Sequence, residues 1–165
     1  MAEPVSLQTF LTYLTLISVP VGVFYHIMTL RNTQKSRRYE NLKMFLDDRS
    51  NEETMLKYAW AQSLKWEDYD DFQSKYGRSS NPEAWARLWS YLVRFDDFGL
   101  MVGRGLILIE DVYELGSGPS SLWKKYQPII EEERRRGNPK TMDWFEYLIE
   151  ELEKEGKRRG DKPSQ

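Results

Sequence analysis

The chain opens on an uninterrupted apolar run. Residues 7–30, LQTFLTYLTLISVPVGVFYHIMTL, contain no Asp, Glu, Lys or Arg. A helix of that length reaches about 36 Å at about 1.5 Å per residue, enough to cross a hydrocarbon core of about 30 Å with some tilt. The run therefore predicts a membrane span. A secretory signal fits less well, because MAEPVS is not basic, the run is long and no small-residue cleavage pattern follows residue 30. A buried helix of a soluble protein is the closer rival, since Gln8, Thr9, Thr12, Thr15, Ser18, Pro20 and His26 dilute the run. Length and freedom from charge favour the span. Pro20 predicts a kink near its middle. His26, the only histidine, falls beside Tyr25 near the far end and reads as an interfacial anchor.

Beyond residue 30 the apolar positions recur every three or four residues. Tyr39, Leu42, Phe45 and Leu46 carry the helix on to about Asp48. Ser50-Asn51-Glu52-Glu53 reads as a capping box, with Ser50 accepting an N–H and Glu53 reaching back. It predicts a helix from Asn51 bearing Leu56, Tyr58, Ala59, Trp60 and Leu64. Trp66, Tyr69, Phe72 and Tyr76 form the next stripe, ended by Gly77 in the left-handed conformation. Asn81 as cap, Pro82 at the first position and Glu83 in the first turn predict the strongest helix, with Trp85, Leu88, Trp89, Leu92 and Phe95 along it. It ends near Val102, turns over Gly103 to Gly105 and leads into a short helix from Ile107 or Ile109 to Leu115. After GSGPSS, Ser120 or Ser121 caps a helix through Trp123, Tyr126, Ile129 and Ile130 to Arg136, bent at Pro128. Gly137-Asn138-Pro139 resets the chain for a last helix with Phe145, Leu148, Ile149 and Leu152 inside. Past Glu155 the polar tail is expected to fray.

These elements predict an all-α protein, one N-terminal transmembrane helix followed by a compact multi-helix cytoplasmic domain. The partition is a lead at 1–6, the span at 7–30, a basic collar and juxtamembrane helix at 31–48, the helical domain at 49–155 and a tail at 156–165. Trp60, Trp66, Trp85, Trp89, Phe95, Trp123 and Phe145 are the expected core.

Charge fixes the orientation of this arrangement. Arg31, Lys35, Arg37, Arg38 and Lys43 face a single acid, Glu40, so the positive-inside rule puts the N-terminus outside and the domain in the cytoplasm. The same collar can meet anionic headgroups, at about 1 kcal/mol for each cation near the surface. Residues 44–118 carry a net charge of −6 and residues 119–165 of +1, which excludes a nucleic-acid binder by charge. Cysteine is absent, which excludes disulfides, thiolate chemistry and Cys-based zinc sites.

The remaining motifs carry little chemistry. Gly99, Gly103 and Gly105 lack the Lys-Ser/Thr ending of a P-loop and follow no strand. Glu67, Asp68, Asp70 and Asp71 lack the ligand spacing of an EF-hand. Glu131 to Glu133 followed by Arg134 to Arg136 is salt-bridge spacing on a solvated helix. Asp96 is the exception, because it falls on an apolar stripe and must pair with an Arg or accept backbone N–H bonds. Asp96 and Glu146 are the candidate buried carboxylates, and with Asp97 they could build a metal site across helices, although the usual Glu-x-x-His is missing. No catalytic residue and no cofactor motif emerges. On the span, Thr15, Ser18 and Gly22 lie near one face, which suits a neighbouring helix.

Taken in order, the single span ending in Arg31, Trp66-x-x-Tyr69-x-x-Phe72-x-x-x-Tyr76-Gly77, Phe95-x-x-Phe98-Gly99-Leu100-Met101-Val102, Gly105-Leu106-Ile107, Trp123, Pro128-Ile129-Ile130, Asn138-Pro139 and Phe145-Glu146-Tyr147-Leu148 resemble an uncharacterised family of small bacterial and archaeal membrane-anchored helical proteins. The resemblance implies this fold and topology and no assigned chemistry. The expected function is interaction, as an accessory or scaffold subunit held at the lipid bilayer beside a protein partner. The alternatives are an anionic-lipid-binding module and a carboxylate metal-dependent hydrolase. Self-association is left open by the pattern.

Overall fold

The apolar run and the basic collar form one continuous helix, α1 (Leu7–Arg49), which passes through Pro20 without ending. The hydroxyls of Thr12, Thr15, Thr29 and Thr33 each donate to the carbonyl four residues back, and Ser18 donates to Thr15. Every one of these donors is thus satisfied inside the helix, where a low-dielectric surrounding would penalise a free one. The computed structural model describes residues 7–114 and 116–161. The lead at 1–6, Leu115, residues 162–165 and the side chains of Phe10, Leu14, Met44, Phe45, Asp48 and Arg49 lie outside the described residues. The chain divides into two units, residues 1–40 and 41–165.

Six helices follow α1: α2 (Glu52–Ser63), α3 (Tyr69–Tyr76), α4 (Pro82–Gly103), α5 (Ile109–Tyr113), α6 (Gly118–Arg136) and α7 (Asp143–Arg159). No strand occurs among the described residues, and the protein is all-α. Asn81 caps α4 by accepting the Ala84 N–H at 3.1 Å, with Pro82 in the first turn, as the sequence predicts.

Other helix ends differ from expectation. Asn51 caps α2 through the Glu53 N–H, while the Ser50 hydroxyl donates backward to the carbonyls of Leu46 and Asp47, so the capping box does not form. Asp68 caps α3 through the Asp71 N–H. Gly77 is extended at φ −69° and not left-handed. It is small for another reason, because a Cβ there would stand 2.3 Å from the Gln73 carbonyl oxygen. Ser117 precedes α6 without a side-chain cap, and Ser120 and Ser121 lie within the helix.

Within residues 41–165, α4 and α7 share the most extensive contact, with α5 and α6 also against α7, α3 against α6 and α4, and α2 against α4. Leu88, Leu92, Leu122, Ile130, Phe145 and Leu148 are fully buried between them, each worth roughly 1.5–3 kcal/mol of burial. Phe95 stacks on Phe145 at 5.2 Å, and Trp123 meets Phe145 edge-on at 5.1 Å. A second aromatic group joins Trp66 to Phe72 and Tyr126 at 5.2 and 5.1 Å, and the Tyr126 hydroxyl donates to the Ala61 carbonyl at 2.6 Å.

Of the expected core, Phe95, Trp123 and Phe145 are buried. Trp60, Trp66 and Trp89 pack on the core only in part, and Trp85 stacks on Trp89 at its margin. Phe72, Tyr91 and Tyr126 take the interior places. The partly buried rings are covered by cations, with Arg87 over Trp60 at 4.6 Å and Arg136 over Tyr69 at 4.3 Å.

Candidate functional site

Asp96 and Glu146 meet different fates at the junction of α4 and α7. The last helix begins awkwardly. Met142, the residue before it, is buried in the left-handed region at φ 57° and makes no capping bond. Asp96 supplies the cap from α4, accepting the Phe145 N–H at 2.9 Å. A carboxylate there also opposes the positive end of the α7 dipole. Burial raises the Asp96 pKa above the usual carboxylate range, partly offset by the N–H groups of Phe145 and Trp144. Of the two partners expected for Asp96, backbone N–H and not Arg is the one found.

Glu146 is not buried. Its side chain is 40% exposed and pairs with the Arg134 guanidinium at 2.6 Å. Arg134 also donates to the Thr141 carbonyl at 2.7 Å and lies 3.3 Å from Asp143, so the charges bracket the turn between α6 and α7. The expectation of a second buried carboxylate is corrected on that ground. A pair held by a cation at the surface needs no burial. Among the described residues no group of three acidic or histidine side chains is placed to hold a metal ion. Asp96 and Glu146 therefore serve as a cap and an ion-pair partner.

The glycines of α4 have a packing role. A Cβ at Gly99 would lie 1.7 Å from the Trp144 carbonyl oxygen, and one at Gly103 would lie 2.5 Å from the Trp144 ring. Gly99-x-x-x-Gly103 is thus a groove into which the start of α7 sinks. Of the three glycines in this stretch Gly105 is the one in the left-handed region, at φ +66°. The signal was present in the four-residue spacing, which puts both glycines on one face of a helix.

The end of α7 also departs from expectation. The helix runs on to Arg159, and Glu155 is buried with Arg158 at 2.6 Å and Arg159 at 2.6 Å. Those arginines reach Glu110 at 2.9 Å and Glu114, tying α5 to α7. Their hydrogen bonds hold the Glu155 pKa below the usual range. In the run EEERRR, Glu132 pairs with Arg135 and Arg136 as its spacing predicts. Glu133 instead accepts from Tyr69 and Gln73.

A shallow cleft at Leu64, Lys65, Trp66 and Lys125 has a structural explanation. Lys125 donates to the Gln62 carbonyl at the end of α2 and lies 5.3 Å from the Trp66 ring centre. There it acts as a cation at a helix C-terminus.

On α1 the collar residues Arg31, Lys35, Arg37 and Arg38 are all exposed, and they make no ion pair among the described residues. Thr15 and Ser18 turn their hydroxyls to their own helix, and Gly22 has open space around it. The family model described as a domain of unknown function, DUF4760, matches residues 16–152. The chain belongs to the DUF4760 family. No curated protein and no solved structure matches it. The part matched to DUF4760 takes in most of the apolar run as well as α2 to α6, Asp96, both groove glycines and Glu146. It stops before Glu155. The apolar helix and the helical unit are therefore parts of one family pattern.

Proposed function

We propose that this DUF4760 protein is a membrane-anchored interaction protein, an accessory or scaffold subunit of a membrane-associated complex. The observation that carries the proposal is the state of α1. It is long and apolar enough to span a bilayer, and its apolar window is 0% buried within the protein. Leu16, Ile17 and Phe24 are each more than 60% exposed, and in water each such side chain would forgo roughly 1.5–3 kcal/mol. A bilayer removes that cost. The exposed collar of Arg31, Lys35, Arg37 and Arg38 supports an N-terminus outside and a cytoplasmic helical unit. Two of the three carboxylates that might have held a metal, Asp96 and Glu146, are engaged in capping and ion pairing, which favours interaction over hydrolysis.

Native membranes carrying the full chain provide the test. The protein is expected to stay in the pellet through an alkaline carbonate wash. In gentle detergent it is expected to migrate with stable companions. Release by carbonate, or migration as one chain in its micelle, would overturn the reading. The exposed collar also favours contact with anionic headgroups, which predicts that residues 31–165 bind anionic vesicles less tightly as salt rises.

A further inference from the structure

The short helix α5 is held differently from its neighbours. Five residues cannot keep a helix in isolation, its first turn has no side-chain cap, and Val112 is its one buried residue. Ile109 and Tyr113 pack on the core only in part. Glycines at positive φ stand on either side, Gly105 at +66° and Gly116 at +91°, where the backbone turns with least steric resistance. The remaining hold on α5 is polar, and it goes to the last turns of α7. Arg158 pairs with Glu110 at 2.9 Å, Arg159 pairs with Glu114, and the Tyr113 hydroxyl donates to Asp161 at 2.7 Å. Gly156 makes room for this contact, since a Cβ there would lie 3.1 Å from the Tyr113 hydroxyl.

The two arginines are each bound twice, and the two sets of bonds answer salt differently. On the α7 side both reach Glu155 at 2.6 Å, and that side chain is only 3% exposed. These pairs lie within one helix at three- and four-residue spacing, so no second element has to be held in place for them to form. On the α5 side the acids are open to water, with Glu110 at 41% and Glu114 at 68% exposure. Dissolved ions screen exposed pairs strongly and pairs with a buried member much less.

We infer that α5 is a salt-sensitive strap on α7. When ions screen Glu110 and Glu114, α5 undocks and loses its helix, while Glu155 keeps Arg158 and Arg159 in place and α7 stays helical to its end. Undocking thus leaves two arginines already oriented for carboxylates and without the chain's own acids over them. The inference concerns residues 41–165 alone, and it stands whether or not α1 spans a membrane.

Hydrogen exchange on the full chain in detergent micelles tests the strap. The Val112 and Glu114 amides donate to the carbonyls of Leu108 and Glu110, so they exchange when α5 opens. Between about 0.01 M and about 1 M sodium chloride the screening length falls from about 30 Å to about 3 Å, and exchange in residues 109–114 is expected to quicken about tenfold over that range while residues 153–159 and α4 keep their protection. A double variant, Glu110→Gln with Glu114→Gln, is expected to exchange rapidly through α5 at both salt concentrations. Exchange in the wild type that ignores salt would overturn the strap. So would an increase shared equally by residues 153–159, which would mean that both elements fray together, or an α5 still protected in the double variant, which would mean that Val112 and its neighbours hold it unaided.

Discussion

Asp96 does for α7 what Met142 cannot. Its carboxylate accepts the Phe145 N–H across 49 residues of chain, replacing the side chain that would normally cap the helix. Asp96→Ala is expected to cost about 1–2 kcal/mol, the usual loss for a missing cap, as read by chemical denaturation. Asp96→Asn keeps an acceptor oxygen and separates capping from charge. Burial raises the Asp96 pKa, so the folded protein holds this proton more tightly than the unfolded chain does. Between the ordinary carboxylate value and the raised one, stability therefore falls as pH rises. The wild-type unfolding free energy minus that of Asp96→Asn is expected to decline through that window and level off above it. A difference that rose with pH would mean that hydrogen bonding outweighs burial. The sequence marks Asp96 as a polar intruder on an apolar stripe. Its partner is illegible there, because a backbone N–H carries no residue identity and the left-handed turn at Met142 has no glycine to announce it. Glu146 misleads for the opposite reason, since its place near Phe145 and Ile149 suggests burial while Arg134 draws it outward.

At the scale of elements, periodicity located the described helices and the Asn81 cap the start of α4, and what they could not supply was how the helices touch. Gly103 reads as the start of a turn along the chain, yet it lies within α4 with Gly99, and both bear on Trp144. They differ in what they press against. At Gly99 the obstacle is the Trp144 carbonyl, fixed by the start of α7, so Gly99→Ala is expected to cost about 3 kcal/mol or more through displacement of the helix. At Gly103 the obstacle is the edge of a side-chain ring that is 39% exposed, which can give more readily than backbone. Gly103→Ala is expected to cost no more than about 1 kcal/mol, because alanine's greater helix propensity works against the strain. Denaturant midpoints of the two variants give the comparison. Similar losses at both sites would mean that the ring is as fixed as the backbone. The extension of α7 was hidden differently. KEGKRRG is polar in sequence, but Arg158 and Arg159 bring their partners to Glu155, Glu110 and Glu114, so charge pairing does there what apolar spacing does elsewhere.

For the whole molecule, the decisive property is that residues 41–165 close their own core. Every buried apolar side chain from Ala61 to Leu152 belongs to that unit. Among the described residues α1 contributes none of them, and the apolar window of its span is 0% buried. A chain built in this way should come apart at the boundary. Removal of residues 1–40 is expected to leave a soluble protein that keeps its helical circular dichroism and unfolds in one cooperative step. If the first unit were a buried helix of a soluble protein, the rival weighed for the apolar run, the shortened chain would lose that cooperativity or aggregate through the uncovered surface. Autonomy of residues 41–165 together with retention of the full chain in membranes would mean that α1 is kept for location and contact. The energy of the fold then lies in α2 to α7.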